Sequence, residues 1–148
     1  MPTAQRNDPY KGFNFRIELA DTSEAVAGFR EVSGLTFTVE PVEYREGTDR
    51  VLHPRKLTGL RKFSNLTLKR GITTNNELRN WYRDVLNGRP NIRRNGAIIL
   101  LDEEGRPVMR WNFFEGWICN WTGPTLNATA NEVAIESIEI AVERVEME

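Results

Sequence analysis

The sequence predicts a mainly β chain of one domain, a small barrel or sandwich with a single flanking helix, from three observations. Apolar and polar residues alternate over several short stretches, the period-2 pattern of strands with one buried and one wet face. Only Asn75 to Leu86 repeats its apolar residues at helical spacing. Towards the C-terminus the alternation changes parity twice, which reads as two bulges of the kind that bend a strand and curl a sheet.

Residues 1–8 read as a polar arm and residues 9–148 as the domain. Phe13, Phe15, Ile17 and Leu19 alternate with Asn14, Arg16 and Glu18 to give a first strand, which Asp21-Thr22-Ser23 turns. Ala25 to Val32 follows as a second strand, weakened by Gly28. Leu35, Phe37 and Val39 then mark a buried side and Thr36, Thr38 and Glu40 a wet one. Ser33-Gly34 supplies a bend ahead of that strand, and Pro41 removes a ladder donor, which suits an edge or a break in pairing. From Arg45 to Leu60 the periodicity fails and Gly47, Pro54 and Gly59 punctuate the chain, so residues 46–60 are expected to form a long functional loop. Lys62 to Lys69 returns to a strand through Leu66 and Leu68.

In the helix, residues 75–86, Leu78, Trp81, Tyr82, Val85 and Leu86 form one apolar stripe. Thr74 with Glu77 makes a capping-box pattern, Asn87-Gly88 a C-terminal stop, and Pro90 forbids continuation. Ala97 to Leu101 and Val108 to Glu115 read as a hairpin joined by a turn from Asp102 to Pro107. Trp111 and Phe113 lie on one face of its second strand and Phe114 on the other. With Trp117 and Trp121 they read as core packing, ahead of an aromatic platform for nucleic acid or sugar. Val133 and Ile135 share one parity, Ile138, Ile140 and Val142 the opposite one, and Val145 and Met147 revert.

A chain of 148 residues with 39% hydrophobic and 28% charged content can bury a core without disulfides or metals. A formal net charge of -1 argues against generic nucleic-acid binding. No apolar run approaches a membrane span and the N-terminus carries no apolar signal core, so folding in the cytoplasm and no membrane binding are expected. One cysteine and one histidine cannot build the usual zinc site. Cys119 reads as a buried small hydrophobe and His53 as a solvated or interface residue rather than a general base. Asp102, Glu103 and Glu104 read as a solvated turn tip; an enzyme using Glu103 or Glu104 would lack a partner residue. No catalytic residue, metal ligand or cofactor site is expected.

Charge is unevenly placed. Arg45, Arg50, Arg55, Lys56, Arg61, Lys62, Lys69 and Arg70 crowd one segment, while Glu132, Glu136, Glu139, Glu143, Glu146 and Glu148 dominate the tail. The two segments are solvated faces, pair within the chain, or meet between copies in a heterologous, repeating contact.

The ordered motifs E-V-S-G-L and E-P-V-E-Y-R-E-G, then L-T-L-K-R-G-I, an E-L-x-x-W helix, W-x-F, and N-E-V-A-I-E-S-I-E-I-A-V-E-R-V carry a resemblance. Over roughly residues 9–147 the chain resembles the tail tube proteins of contractile phage tails and phage-tail-like injection systems. In fold these are similar to the haemolysin-coregulated tube protein of type VI secretion. The resemblance implies homohexameric rings that stack head to tail into a hollow conduit, with sheath, baseplate and tail-terminator proteins as partners. A payload of DNA or protein effector would occupy the lumen, and assembly in the cytoplasm would precede incorporation into a phage virion or injection particle. It also assigns ring-to-ring contact to the loop holding Glu46, Asp49, Arg50, Val51, Leu52, His53, Arg55 and Lys56. Here Pro54 is followed by Arg55 where the family pattern leads one to expect glycine. The alternatives are a small-molecule-binding barrel of lipocalin-like size and a specialised ring near the baseplate.

Overall fold

The computed structural model describes residues 8–12, 14–19, 25–26, 29–71, 77–129 and 131–148. Along them run β1 (Phe15–Leu19), β2 (Ala25–Val26), β3 (Phe29–Ser33), β4 (Phe37–Tyr44), β5 (Arg55–Phe63) and β6 (Leu66–Gly71). These are followed by α1 (Glu77–Leu86), β7 (Arg94–Leu101), β8 (Pro107–Thr122), β9 (Ile135–Ala141) and β10 (Arg144–Met147). The expected β-rich chain with one helix is what forms. Phe13, the Asp21-Thr22-Ser23 turn, Gly28, Thr74 and most of the polar arm lie outside the described residues.

β8 is the spine. Its first half pairs with β7 and β10, its second half with β9, and the hydrogen-bonded order is β2-β1-β7-β8-β9-β6-β3. The change of partner falls at Glu115, which has φ 55, and at Gly116, opposite Arg94. The bend passes β8 from one sheet to a second that packs against it. The result is sandwich-like, curled but not closed by hydrogen bonds into a barrel. Gly96 allows close packing: a Cβ there would lie 2.5 Å from the ring of Phe113. Ile17, Leu19, Leu66, Leu68, Phe113, Ile118, Ile138 and Ile140 fill the space between the sheets.

The parity changes have different causes. Val142 and Glu143 separate β9 from β10 opposite the bend in β8, with the Glu143 N–H donating to the Phe114 carbonyl at 3.2 Å; the register with β8 runs on unchanged from Trp117 opposite Ala141 to Phe114 opposite Arg144, so the expected second bulge is instead a bend that both strands share. The first is not a bulge either. β9 starts only at Ile135 and Val133 is 76% exposed. The inward position ahead of Ile138 is Glu136, whose Oε1 accepts from Arg70 Nε at 2.7 Å in a pair that is fully buried.

Four further expectations are corrected. Ala25 to Val32 is not one strand: β2 pairs with β1 and β3 with β6, at opposite ends of the sheet order. Lys62 to Lys69 is broken at Ser64-Asn65, where the chain leaves β5 for β6. Leu86 is 67% exposed, because it falls in the last turn of α1. Cys119 is exposed: it follows inward-facing Ile118 at a register shift, so it points outward, its sulfur donating to the Glu139 carbonyl at 3.5 Å. Partial desolvation, and secondarily the charge of Glu139, push its thiol above the ordinary value.

In α1, Leu78 and Trp81 are buried against the sheets, and the indole of Trp81 donates to the Ile92 carbonyl at 2.7 Å. The helix stops as its sequence predicts. Gly88 adopts φ 65, its N–H bonds the Val85 carbonyl and that of Arg89 the Asp84 carbonyl, the Schellman arrangement.

Candidate assembly interface

The segment expected to be a long loop is mostly hairpin. β4 and β5 pair with each other alone, in a two-stranded sheet apart from the sandwich. Residues 55–60, assigned to the loop by sequence, are strand, and the connection is residues 45–54. The register shifts between Val39 and Pro41, so proline sits where a missing N–H breaks no ladder bond. Gly59 lies opposite in β5, where Gly59 and Leu60 together face Glu40 alone, and a Cβ on Gly59 would stand 2.5 Å from the Glu40 carbonyl. That irregularity erased the period-2 signal.

Asp49 organises the tip. Its carboxylate accepts from the Glu46 N–H at 3.0 Å and pairs with Arg55 at 2.9 Å, and its own N–H donates to the Glu46 carbonyl at 3.0 Å. Arg45 donates to the carbonyls of Val51 and Asp49 at 3.1 and 3.3 Å. Glu46 also accepts from the Tyr44 hydroxyl at 3.0 Å. Of the residues expected at the contact, Glu46, Asp49 and Arg55 are thus brought together to hold the tip's shape. Arg50, Val51, Leu52, His53 and Lys56 are exposed around it, Leu52 at 88%.

Sequence reasoning missed the apolar flanks. Val42 stands opposite Leu57 in register, and both are about half exposed, as is Tyr44. At the base Phe37 and Phe63 meet with ring centroids 5.1 Å apart, yet Phe37 remains 53% exposed, contrary to the buried side expected for Leu35, Phe37 and Val39. β2 and β3, at the two ends of the sheet order, each have one strand neighbour among the described residues.

Away from the hairpin, Asp102 serves its own turn. The N–H groups of Arg106 and Glu104 donate to its Oδ1 at 2.8 and 2.9 Å, and the Arg106 guanidinium lies beside it. Among the described residues no group of three or more His, Cys, Asp or Glu side chains is placed to hold a metal.

The T4-like virus tail tube protein gp19 family matches residues 11–146. The chain belongs to that family. It is a tail tube protein of phage tails and contractile injection systems, and solved structures agree. It is similar to a chain of the PVC sheath–tube complex of an extracellular contractile injection system in its extended state. That match has 27% identity and a TM-score of 0.81, covering 95% of this chain and 91% of the other. A chain of the tube-terminating cap of the anti-feeding prophage matches at 27% identity and TM-score 0.85, covering 99% and 95%. Hcp1 from Flavobacterium johnsoniae shares the fold at TM-score 0.54 and 12% identity, covering 90% and 93%. No curated protein sequence matches the chain.

Proposed function

We propose that this tail tube protein is a non-enzymatic subunit that closes into homohexameric rings, and that the rings stack head to tail into a hollow conduit for a payload. The β4–β5 hairpin carries this reading. A two-stranded ribbon is at best marginally stable in water, and this one exposes Phe37, Val42, Tyr44, Leu57 and Leu60 along its length, so it is built to be covered by neighbours. Residues 9–148 act as the tube domain and the tip, centred on Arg50, Val51, Leu52, His53 and Lys56, as the ring-to-ring element; Glu46, Asp49 and Arg55 shape it. The strands that end the sheet order, β2 and β3, are protected by neighbours around a ring, which removes edges that invite aggregation.

Sheath, baseplate and terminator proteins are the further partners, by likeness to chains from a sheath–tube complex and a sheath/tube terminator. Assembly takes place in the cytoplasm before the tube joins its particle. A lipocalin-like role fits less well, because Trp81, Phe113 and the aliphatic core fill the space that a ligand would need. Sedimentation and negative-stain microscopy of the purified protein test the proposal. Rings and stacked tubes are expected at high concentration, and a strictly monomeric profile at every concentration and salt would overturn it.

A further inference from the structure

β3, β6, β9 and the second half of β8 form one sheet, and little in it specifies how β6 is set against β9. Leu66, Leu68 and Arg70 of β6 face inward, opposite Ile140, Ile138 and Glu136 of β9. Sliding β6 by two residues keeps every side chain on its own face. One such slide would set Leu68 against Ile140 and Leu66 against Val142, all of them aliphatic and in or against the core. The apolar packing is therefore nearly indifferent to it.

The wet face even favours the slide. Lys69 stands opposite Ser137 and Thr67 opposite Glu139. After the slide Lys69 would stand opposite Glu139, and opposite charges facing each other across two strands are stabilising. What the slide breaks is the buried pair. Arg70 would face Ile138, and Glu136 would lie past Gly71, where β6 ends. Slid the other way, Leu68 would face Glu136 and Arg70 would lie past Ile135, where β9 begins. Either way two charges are parted in a dry interior, which is strongly unfavourable.

Glu136 holds both of its neighbouring strands at once. Its Oε1 accepts from Arg70 Nε on β6 at 2.7 Å, and its Oε2 accepts from the Trp121 indole on β8 at 3.1 Å. Arg70 in turn lies 5.8 Å from the ring centroid of Phe29, its register partner on β3. One rung of side chains thus crosses all four strands.

We propose that this rung is the register lock of the sheet, and that the role of Arg70 and Glu136 is to allow only one alignment of β3 and β6 on β9 and β8. A buried ion pair adds little stability that apolar residues of similar volume would not supply, but it penalises every misalignment. A two-residue slide would carry β3 roughly 7 Å along the sheet at about 3.3 Å per residue. Copies in different alignments would present different edges, which the identical contacts of the proposed ring do not tolerate. The lock itself belongs to the single chain and holds whether or not rings form.

Cross-linking reads the alignment. In a Cys119→Ser background, Thr67→Cys with Glu139→Cys reports the native alignment and Lys69→Cys with Glu139→Cys the slid one, because directly opposite residues come within disulfide reach and diagonal ones do not. With Arg70 and Glu136 in place, oxidation should close the first pair and leave the second open. With Arg70→Met and Glu136→Leu added, the yield of the second disulfide, mapped by mass spectrometry, should rise at least about fivefold. Should that variant fail to fold when reduced, oxidative refolding through the first disulfide, which sets the alignment by itself, should restore the circular dichroism and amide exchange of the parent. An apolar variant that folds yet closes only the first pair, or that stays unfolded with that disulfide closed, would overturn the lock. So would a second disulfide that closes as readily with Arg70 and Glu136 in place.

Discussion

At the scale of single residues, the position most exposed to damage is the buried pair of Arg70 and Glu136. Arg70 Nε and Glu136 Oε1 lie 2.7 Å apart, Glu136 Oε2 accepts from the Trp121 indole at 3.1 Å, and Arg70 sits 5.8 Å from the Phe29 ring centroid. Removing one member leaves the other charge without its partner in a dry site. Arg70→Ala is therefore expected to cost about 3 to 5 kcal/mol in denaturant unfolding, while Arg70→Met with Glu136→Leu should cost much less. A loss below about 1 kcal/mol for the single change would mean that water reaches the pair. The sequence hid this. Glu136 occupies an inward position that alternation alone assigns to an apolar residue, so a charge there looked like a break in the pattern. Asp102 behaves oppositely. The N–H of Arg106 first of all holds its carboxyl below the ordinary range; desolvation, next in size, opposes it, and the N–H of Glu104 and the Arg106 guanidinium add to the lowering. A depressed folded value means that the stabilisation is present above the unfolded value, about 3.9, and is lost only as pH falls through the folded one. Amide exchange across residues 102–106, corrected for its intrinsic dependence on pH, should stay unchanged from neutrality down to the ordinary carboxylate range and rise only below it. An earlier rise would remove Asp102 as the organiser of the turn.

At the scale of elements, what could be read from sequence depended on whether the pattern ran uninterrupted. α1 was legible because its stripe, its Gly88 stop and its length agree, and Trp81 at its centre is fully buried. Trp81→Ala should cost about 3 to 5 kcal/mol, the usual range for truncating a buried aromatic, with loss of the bond to the Ile92 carbonyl added. A change under about 1 kcal/mol would show that the sheets do not depend on the helix. β5 was illegible for a physical reason: its irregular pairing at Gly59 shifts the faces midway, and its apolar residues are not buried in the single chain. Burial is what imposes period 2, so a ribbon that keeps its apolar face for a neighbour need not show it. β8 was read too short for a related reason, since its bend at Glu115 and Gly116 interrupts one strand and resembles its end.

At the scale of the whole molecule, the proposed assembly raises the question of what would stack one ring on another when each contact is small. An exposed ion pair contributes at most about 1 kcal/mol and is screened by salt, so Arg50 and Lys56 cannot carry the contact alone. Burying a leucine contributes about 1.5 to 3 kcal/mol, and Leu52 is the most exposed large apolar side chain among the described residues. Against this stands the cost of fixing the backbone, roughly 1 to 2 kcal/mol per residue. The bonds from Arg45 and the Asp49–Arg55 pair already restrict the tip, so less freedom is lost on docking than in a loop of residues 46–60 without internal structure. In the proposed stack each contact would then be weakly favourable, and a ring would present one per subunit simultaneously, which converts weak contacts into firm stacking. Leu52→Asp should abolish tubes while leaving rings intact, whereas raising salt on the wild type should shorten tubes without abolishing them. Arg55→Glu should act differently from Arg50→Glu with Lys56→Glu, loosening the tip by breaking its pair with Asp49, which amide exchange in isolated rings would register. Tubes that dissolve fully with modest salt, yet tolerate Leu52→Asp, would place the energy in the charges and leave the exposed leucine without a role.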